Sequence, residues 1–173
     1  QMYKGAASTP EVTITKDAAT LTAGTDYTLT YSNNVNVGTA RVIAQLSSSH
    51  GSGVLTKDFN ITKRAITITA QPQTITYGSD LSQSVDQVLM VDPTDGLATD
   101  HKIASITLTT DKTAVSSSAY TNAITASGAI ITDGSGFDVT SNYTIAYAPG
   151  NLTITAKPYS EATFTIEEND GDY

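Results

Sequence analysis

The 173-residue sequence contains no cysteine and no tryptophan. Without cysteine, the protein has neither disulfide bonds nor metal sites built from thiolates. No run reaches the roughly 18 consecutive apolar residues of a membrane-spanning helix, so we expect no membrane insertion by this segment. The first residues also lack the charged and apolar regions of a signal peptide. We expect either that a signal was removed or that the sequence is a piece of a longer protein.

Basic residues are scarce as well. Nine Lys and Arg residues stand against seventeen Asp and Glu residues, which gives a formal net charge of -8. An acidic surface repels phosphate groups, so we expect no nucleic-acid partner. Only 15% of the residues are charged, and Thr, Ser, Asn and Gln supply most of the polarity. This composition is typical of secreted β proteins, because Thr suits a half-exposed strand.

The common signatures of catalysis are also missing. There is no nucleophile elbow, no phosphate-binding loop and no H-E-x-x-H pattern. His50 and His101 are the two histidines, and neither has a second histidine at a spacing that a metal site would use. We predict that both lie on the surface, and that the protein has no catalytic residue, no cofactor and no enzymatic activity.

The sequence does show a strict alternation of apolar and polar residues, which predicts strands. Predicted strands lie at 11–16, 26–32, 38–47, 53–62, 65–70, 73–78, 102–110, 128–132, 141–148 and 151–156. Gly, Asn, Asp and Ser separate them, as in turns. The fold class is therefore mainly β.

One phrase occurs twice, as "DYTLTYS" at 26–32 and "NYTIAYA" at 142–148. Its four tyrosines are predicted to fill the core of a small β layer; they are Tyr27, Tyr31, Tyr143 and Tyr147. The segment "YAPGN" that follows the second copy is predicted to be a turn, with Pro149 fixing φ and Gly150 supplying a positive φ. In the dipeptide Tyr77-Gly78, Gly78 is expected to permit the strand to end and Tyr77 to cover a core edge.

The segment 79–95 fits two structures. Leu81, Val85, Val88 and Leu89 have the spacing of a helix of about three turns, which Ser79 or Asp80 would cap. Val85, Gln87, Leu89 and Val91 also alternate as in a strand. We therefore predict at most one short helix, near residues 80–90.

Internal repetition favours two tandem small β domains, residues 1–64 and residues 65–157. The boundary at Lys63 and Arg64 has no Gly or Ser tract, which predicts a stiff connection. Residues 158–173 are expected to form a closing strand or the start of a further unit, followed by an acidic tail. Each domain would be β-grasp-like or an immunoglobulin-like sandwich, and a helix at 80–90 would favour β-grasp.

Candidate binding residues are few. Asp133 and Asp138 lie in one Gly-containing loop, as do Asp92 and Asp95, and calcium binds oxygen ligands on such loops. Ordinary turn chemistry is the alternative, and we predict no metal site. A saccharide would need exposed aromatic side chains. Tyr3, Tyr120 and Tyr159 lie outside the clear alternation, and Tyr120 and Tyr159 are the candidates for ligand binding.

Three phrases connect the second unit with a known family: "ITITAQPQTITYGSD", "DGLATDHKIASITLTT" and "NYTIAYAPGNLTITAK". With these, the unit resembles the bacterial surface repeat called the MBG domain, YGX type, which is likened to mucin-binding, β-grasp-like modules. The first unit resembles a related surface repeat through "YKG", "PEVTI", "GTDYTLTYSNNVNVGTARV" and "KDFNITK". Its segment "SSSHGSG" departs from the aromatic turn usual in that repeat.

The resemblance implies an extracellular protein of the bacterial cell surface, with neighbouring repeat domains of the same chain as partners. The first hypothesis is a structural spacer within an adhesin-like protein. The alternative is an adhesive module that binds host glycan or mucin, and a third possibility is pairing of a strand edge with a neighbouring protein.

Overall fold

A computed structural model describes residues 1–90 and 96–158. The protein is mainly β, as predicted. Its strands are β1 Thr15–Lys16, β2 Ala19–Thr20, β3 Tyr27–Ser32, β4 Gly38–Leu46, β5 Val54–Ile61, β6 Arg64–Ala70, β7 Gln73–Thr76, β8 Val88–Met90, β9 Lys102–Thr109, β10 Tyr120–Thr132, β11 Tyr143–Ala148 and β12 Gly150–Thr155. Helical structure in the described part consists of three single 3-10 turns, at Ser48–His50, Val85–Gln87 and Thr140–Asn142.

The first unit contains an antiparallel sheet of order β3-β4-β5 and a small hairpin of β1 and β2. Of the strand predicted at 11–16, only its last two residues pair, in β1. The preceding residues are held by side chains instead, because the hydroxyls of Tyr27 and Tyr31 donate to the carbonyl oxygens of Val12 and Pro10, both at 2.9 Å. Hydrogen bonds from these two tyrosine side chains therefore take the place of backbone strand pairing in this segment.

The second unit has two sheets that enclose one core. One sheet has the order β7-β12-β10-β9 and the other has the order β11-β6-β8. Its most deeply buried aliphatic side chains come from both sheets, and they are Ile68, Ile124, Ile131, Leu152 and Ile154. Strand alternation sets this pattern, because every second side chain of a strand faces the same side.

The chain passes from the sheet β11-β6-β8 to the sheet β7-β12-β10-β9 at two places, and these two crossings are adjacent. β6 pairs in parallel with β11, and β7, which follows two residues after β6, pairs in parallel with β12. At the crossing, a Cβ added to Gly150 would lie 2.5 Å from the carbonyl oxygen of Ala70. The predicted turn with a positive φ at Gly150 is therefore wrong: this glycine has no positive φ, and it is needed because two backbones approach each other closely.

β10 is much longer than predicted. It spans the 13 residues Tyr120–Thr132, whereas alternation indicated a strand only at 128–132. Its pairing with β9 shifts register between Ser127 and Ile130, and Gly128 has a φ of 60°. Such bulges place two residues opposite one and so break the alternation on which the prediction relied.

The three-turn helix considered for residues 79–90 is wrong. A single 3-10 turn at Val85–Gln87, capped by the side chain of Ser84, leads into β8, which pairs with β6. The side chain of Gln83 bonds both the N–H and the carbonyl of Leu108, at 2.8 Å each. These bonds hold the segment extended, while Leu89 is 54% exposed and so does not line the core. Val91, Asp92 and Asp95 lie outside the described residues.

Among the described residues, every strand pairing stays on one side of Lys63. Buried side chains, in contrast, pack together from both sides of Lys63. Tyr3, Ala40 and Ile61 of the first unit belong to the same buried cluster as the core of the second unit. The division into two domains therefore remains a prediction, as do the β-grasp-like and immunoglobulin-like alternatives.

Candidate functional site

Three aromatic rings meet where residues 1–64 contact residues 65–157; we call Tyr3, His101 and Tyr143 the junction cluster. The ring of Tyr3 packs edge-on against Tyr143, with centroids 5.6 Å apart and planes at 82°. His101 contacts both, at centroid distances of 5.9 Å from Tyr3 and 6.0 Å from Tyr143. Edge-to-face pairs at such distances are favourable beyond the apolar area that they bury.

Three different segments bring these rings together. The N–H of Tyr3 donates to the carbonyl oxygen of Thr62 at 2.9 Å, so the first residues lie alongside the end of β5. Tyr143 begins β11, where it pairs with Arg64 of β6. His101 directly precedes β9. The junction cluster therefore lies where the chain passes from the first unit into the second.

The hydroxyl of Tyr143 has two partners. It accepts the backbone N–H of Ala98 at 3.1 Å and lies 2.7 Å from Nδ1 of His101. The direction of the second bond depends on the His101 tautomer: the hydroxyl donates when Nδ1 carries no proton, and it accepts when Nδ1 is protonated.

Burial changes the acidity of both tyrosines. It raises the pKa of the Tyr143 hydroxyl above the ordinary tyrosine value, although the bond from Ala98 and the charge of Arg64 act in the opposite direction. Burial also raises the pKa of Tyr3, and the neighbouring Tyr143 adds to that increase. Both hydroxyls are thus kept in their neutral form over a wider pH range than an exposed tyrosine.

Asn142 connects the two units by hydrogen bonds. Its Oδ1 accepts the N–H of Val37 at 2.9 Å, and its Nδ2 donates to Oδ1 of Asn36 at 3.2 Å. Asn142 is only 4% exposed, so these bonds satisfy an amide that is largely removed from water. The junction is therefore polar as well as aromatic.

Gly5 allows the first segment to approach the second unit. A Cβ at this position would lie 2.9 Å from Ala98 Cβ and 2.9 Å from His101 Nε2, and the φ of Gly5 is 75°. Arg64, at the start of β6, donates from Nε to the carbonyl oxygen of Gly96 and from Nη1 to the carbonyl oxygen of Tyr3 at 3.5 Å. The role of Gly5 is not apparent in its local sequence, which shows only a polar segment rich in small residues.

A cleft of about 510 Å³ opens beside the junction cluster. It contains the predicted calcium candidates Asp133 and Asp138, together with Phe137, which is 71% exposed. Oδ1 of Asp133 accepts the N–H groups of Ser135 and Phe137, both at 2.9 Å, which is ordinary turn chemistry. In residues 1–90 and 96–158 there is no group of three or more His, Cys, Asp or Glu side chains placed to hold a metal ion.

Asp138 has a similar local role. Its Oδ1 accepts the N–H of Thr140 at 2.9 Å, and hydrogen bonds from Thr140 lower the pKa of the Asp138 carboxyl. The two carboxylates therefore cap the loop that leads from β10 to β11.

The aromatic candidates for ligand binding do not come together. Tyr120 is half-buried at the start of β10, where its hydroxyl donates to the carbonyl oxygen of Ala114 at 3.0 Å. Tyr159 lies outside the described residues. Tyr3, which was expected to be exposed, is 2% exposed, because the second unit covers it.

For the remaining tyrosines and histidines, the predicted burial is confirmed at some positions and wrong at others. Tyr27 and Tyr143 are buried, which confirms their predicted core position, whereas Tyr147 is 37% exposed. Tyr77 does not cover the core edge as expected, being 55% exposed. Neither histidine lies fully on the surface: His101 is half-buried in the junction cluster, and His50 is half-buried beside Asp26, with Nε2 3.0 Å from Oδ1.

No protein-family model matches this chain, and comparison with curated proteins gives no significant match. The resemblance to the MBG module therefore remains a prediction from the sequence. Among the described residues, no helix combines the length and the apolar character needed to cross a membrane.

Proposed function

We propose that this protein is a non-catalytic spacer within a bacterial cell-surface or secreted adhesin-like protein. In this role the two units hold another part of the protein at a distance from the cell. One observation carries the proposal: the first two strands of the second unit, β6 and β7, pair in parallel with its last two, β11 and β12.

The path of the chain through the second unit supports a spacer. Arg64 and Tyr143 pair at the junction, and β10 ends at the same place, where Thr132 pairs with Lys102. The opposite end of β10 is Tyr120, which pairs with Leu152 of β12. Because β10 has 13 residues, the two ends of the unit are separated by up to about 40 Å. The chain thus enters near one end and leaves near the other.

This arrangement suits a protein under tension. A pull on the two ends of the unit draws β6 in one direction and the parallel strands β11 and β12 in the other. The six residue pairs between β6 and β11 and the four between β7 and β12 are then loaded together rather than one after another. Breaking many hydrogen bonds at once requires more force than opening them in sequence.

Single-molecule pulling tests the proposal. The cysteine-free chain, held at its two ends, should unfold at high force. The matched control carries Ala119→Cys and Lys157→Cys and is held at these two positions, which lie at the same end of the antiparallel pair of β10 and β12. This geometry opens the pair stepwise, so its unfolding force should be lower. Equal low forces in both geometries would contradict a tension-bearing spacer.

An adhesive module that binds host glycan or mucin is the second candidate. It is favoured by the exposed ring of Phe137 beside a cleft that also contains Asn36 and Asp133. An aromatic ring next to amide and carboxylate groups is suited to a saccharide. Saturable binding to mucin glycans that is lost in Phe137→Ala would support this candidate, while loss only in Tyr120→Ala combined with Tyr159→Ala would assign the site elsewhere.

A further inference from the structure

Strand β5 forms one edge of the sheet in the first unit. It pairs with β4 over eight residues without a register shift, and it contains no proline. Bulges and prolines are common means by which proteins keep a strand edge from pairing with another chain. β5 has neither of them, so its edge has the geometry to accept a further strand.

The hydrogen bonds to β4 show which residues of β5 point outward. The N–H of Leu46 donates to the carbonyl oxygen of Gly53 at 2.8 Å. In an antiparallel ladder, hydrogen-bonded pairs alternate with pairs whose backbone groups point away from each other. The backbone groups of Val54, Thr56 and Asp58 therefore point away from β4, towards the outer side of the sheet.

One end of this edge is already paired. The amino group of Gln1 donates to the carbonyl oxygen of Asn60 at 3.0 Å, and the N–H of Thr62 donates to the carbonyl oxygen of Gln1 at 2.8 Å. In the part of the chain that the structure describes, the outward backbone groups of residues 54–58 have no such backbone partner. A partner strand can therefore reach residues 54–58 but not the end of β5.

Two exposed apolar side chains lie on this edge. Val54 is 57% exposed and Leu55 is 47% exposed, and they lie on opposite faces of the sheet because successive side chains of a strand alternate. Leu55 pairs with Ala44, which belongs to the small buried cluster of the first unit. A strand added at this edge would cover Leu55 and so extend that cluster.

The distribution of charge permits contact between two first units. Residues 1–64 contain six Lys and Arg residues and four Asp and Glu residues. The acidic excess of the chain therefore lies in residues 65–173. Two copies of the first unit do not meet the repulsion that the net charge of -8 would otherwise cause.

We propose that two copies of this chain associate through β5, which pairs antiparallel with β5 of the second copy about a two-fold axis at Leu55. Each copy contributes the same surface, as a two-fold axis requires. Leu55 lies opposite Leu55 of the second copy, and the backbone groups of Val54 and Thr56 bond those of Thr56 and Val54 of the second copy. This inference goes beyond the spacer role and does not depend on it.

The side chains of β5 favour this register over its neighbours. An axis at Thr56 would place Leu55 opposite Lys57 of the second copy. An axis at Lys57 or at Asp58 would place like charges opposite each other, which is unfavourable. An axis nearer the start of β5 would involve Ser48–His50, which form a 3-10 turn and not a strand.

Sedimentation equilibrium of the full chain tests the association. Because a single strand edge is a small contact, we expect a weak dimer that forms as the concentration rises to about 1 mM. Leu55→Lys places two ammonium groups opposite each other and should weaken the dimer about tenfold or more. Val115→Lys is the matched control, because Val115 lies in the second unit and has a similar exposure of 49%. This control should leave the dimer unchanged.

Cysteine cross-linking tests the register, since the sequence contains no cysteine. With diamide as the oxidant, Leu55→Cys should give a disulfide-linked dimer, because Cα atoms in a non-hydrogen-bonded pair are about 4.5 Å apart. In Lys57→Cys the two Cα atoms would be about 14 Å apart, which is too far for a disulfide. This variant should therefore remain monomeric on a non-reducing gel.

Four results would each overturn the proposal. They are a chain that stays monomeric at about 1 mM, a dimer that Leu55→Lys leaves intact, equal cross-linking of the two cysteine variants, and a dimer that dissociates at high salt. The last result would assign the contact to attraction between the first unit of one copy and the acidic part of another.

Discussion

The hydroxyl oxygen of Tyr143 lies 2.7 Å from Nδ1 of His101, at the contact between residues 1–64 and residues 65–157. The same hydroxyl accepts the buried N–H of Ala98. The ring of Tyr3 packs against both side chains. One hydroxyl group thus supports the backbone of the second unit and orients the histidine that the first unit contacts.

Removing that hydroxyl should destabilise the protein. Tyr143→Phe leaves the buried Ala98 N–H without an acceptor, and we expect the free energy of unfolding to fall by about 1–3 kcal/mol. Urea unfolding measures this change. In the control Tyr120→Phe, which removes only the solvent-exposed hydrogen bond to the carbonyl oxygen of Ala114, the loss should be about 0.5 kcal/mol or less. Equal losses of unfolding free energy in the two variants would show that the hydrogen bonds of Tyr143 stabilise the protein no more than that of Tyr120.

Gly150 should tolerate no larger residue. A Cβ would lie 2.5 Å from the carbonyl oxygen of Ala70, a backbone atom that cannot move aside easily. We expect Gly150→Ala to lower the free energy of unfolding by about 1–3 kcal/mol or more. Thermal unfolding of Gly53→Ala is the comparison, because a Cβ there meets only Leu46 Cδ1 at 3.7 Å. Near-natural stability of Gly150→Ala would mean that the two crossing segments are not tightly packed.

Asn142 should control how firmly the two units are joined. Asn142→Ala removes the acceptor of the Val37 N–H and the donor to Asn36, so we expect the units to reorient more independently. Residual dipolar couplings of the two units report this through separate alignment tensors. Asn151→Ala serves as control, because the bond that Asn151 accepts from the Asn122 N–H lies within the second unit. A common tensor in Asn142→Ala would contradict a joining role.

Alkaline pH should act on the junction. Burial raises the pKa values of Tyr3 and Tyr143 above the ordinary 10.0. The stability that depends on their neutral hydroxyls is therefore complete below the unfolded-state pKa and is lost as pH rises through the higher folded-state values. A tyrosinate absorbance titration of the folded protein should show ionisation at higher pH than the urea-unfolded chain shows, and Tyr143→Phe should remove one such late step. The absence of any step above the range of the unfolded chain would contradict the burial of Tyr3 and Tyr143.

Asp133 should act as a loop cap and not as a calcium ligand. Asp133→Ala removes the acceptor for the Ser135 and Phe137 N–H groups, and we expect a loss of about 0.5–1.5 kcal/mol. Asp133→Asn keeps a side-chain oxygen and should retain most of the stability. The melting temperature of the natural protein should not change when calcium is added. A rise that disappears in Asp133→Asn would instead identify a calcium site.

Local sequence was sufficient for most of the strands. Alternation within a strand depends on neighbouring residues alone, and so it correctly indicated β3, β4, β5, β6 and β9 to within one residue at each end. It failed at β10, where bulges interrupt the alternation, and at residues 79–90, where helical and strand spacing coincide. At residues 79–90, the pairing of β8 with β6 and the hydrogen bonds between Gln83 and Leu108 hold the segment extended.

Most of the candidate site could not be predicted from the sequence. Composition indicated an acidic, cysteine-free β protein, and the tyrosine phrases correctly placed Tyr27 and Tyr143 in the core. Tyr3 and His101 lie in polar segments with no apolar periodicity, so nothing local indicated that they meet. Their contact depends on how two distant segments pack.

The sequence by itself determined the strand content and the identity of several core side chains, because alternation and composition are properties of adjacent residues. Tertiary structure alone decided that β6 pairs with β11, that Gly150 meets Ala70, and that Tyr3 is buried. The physical reason is that strand partners and burial follow from the closure of the whole core, which depends on residues far apart in the chain.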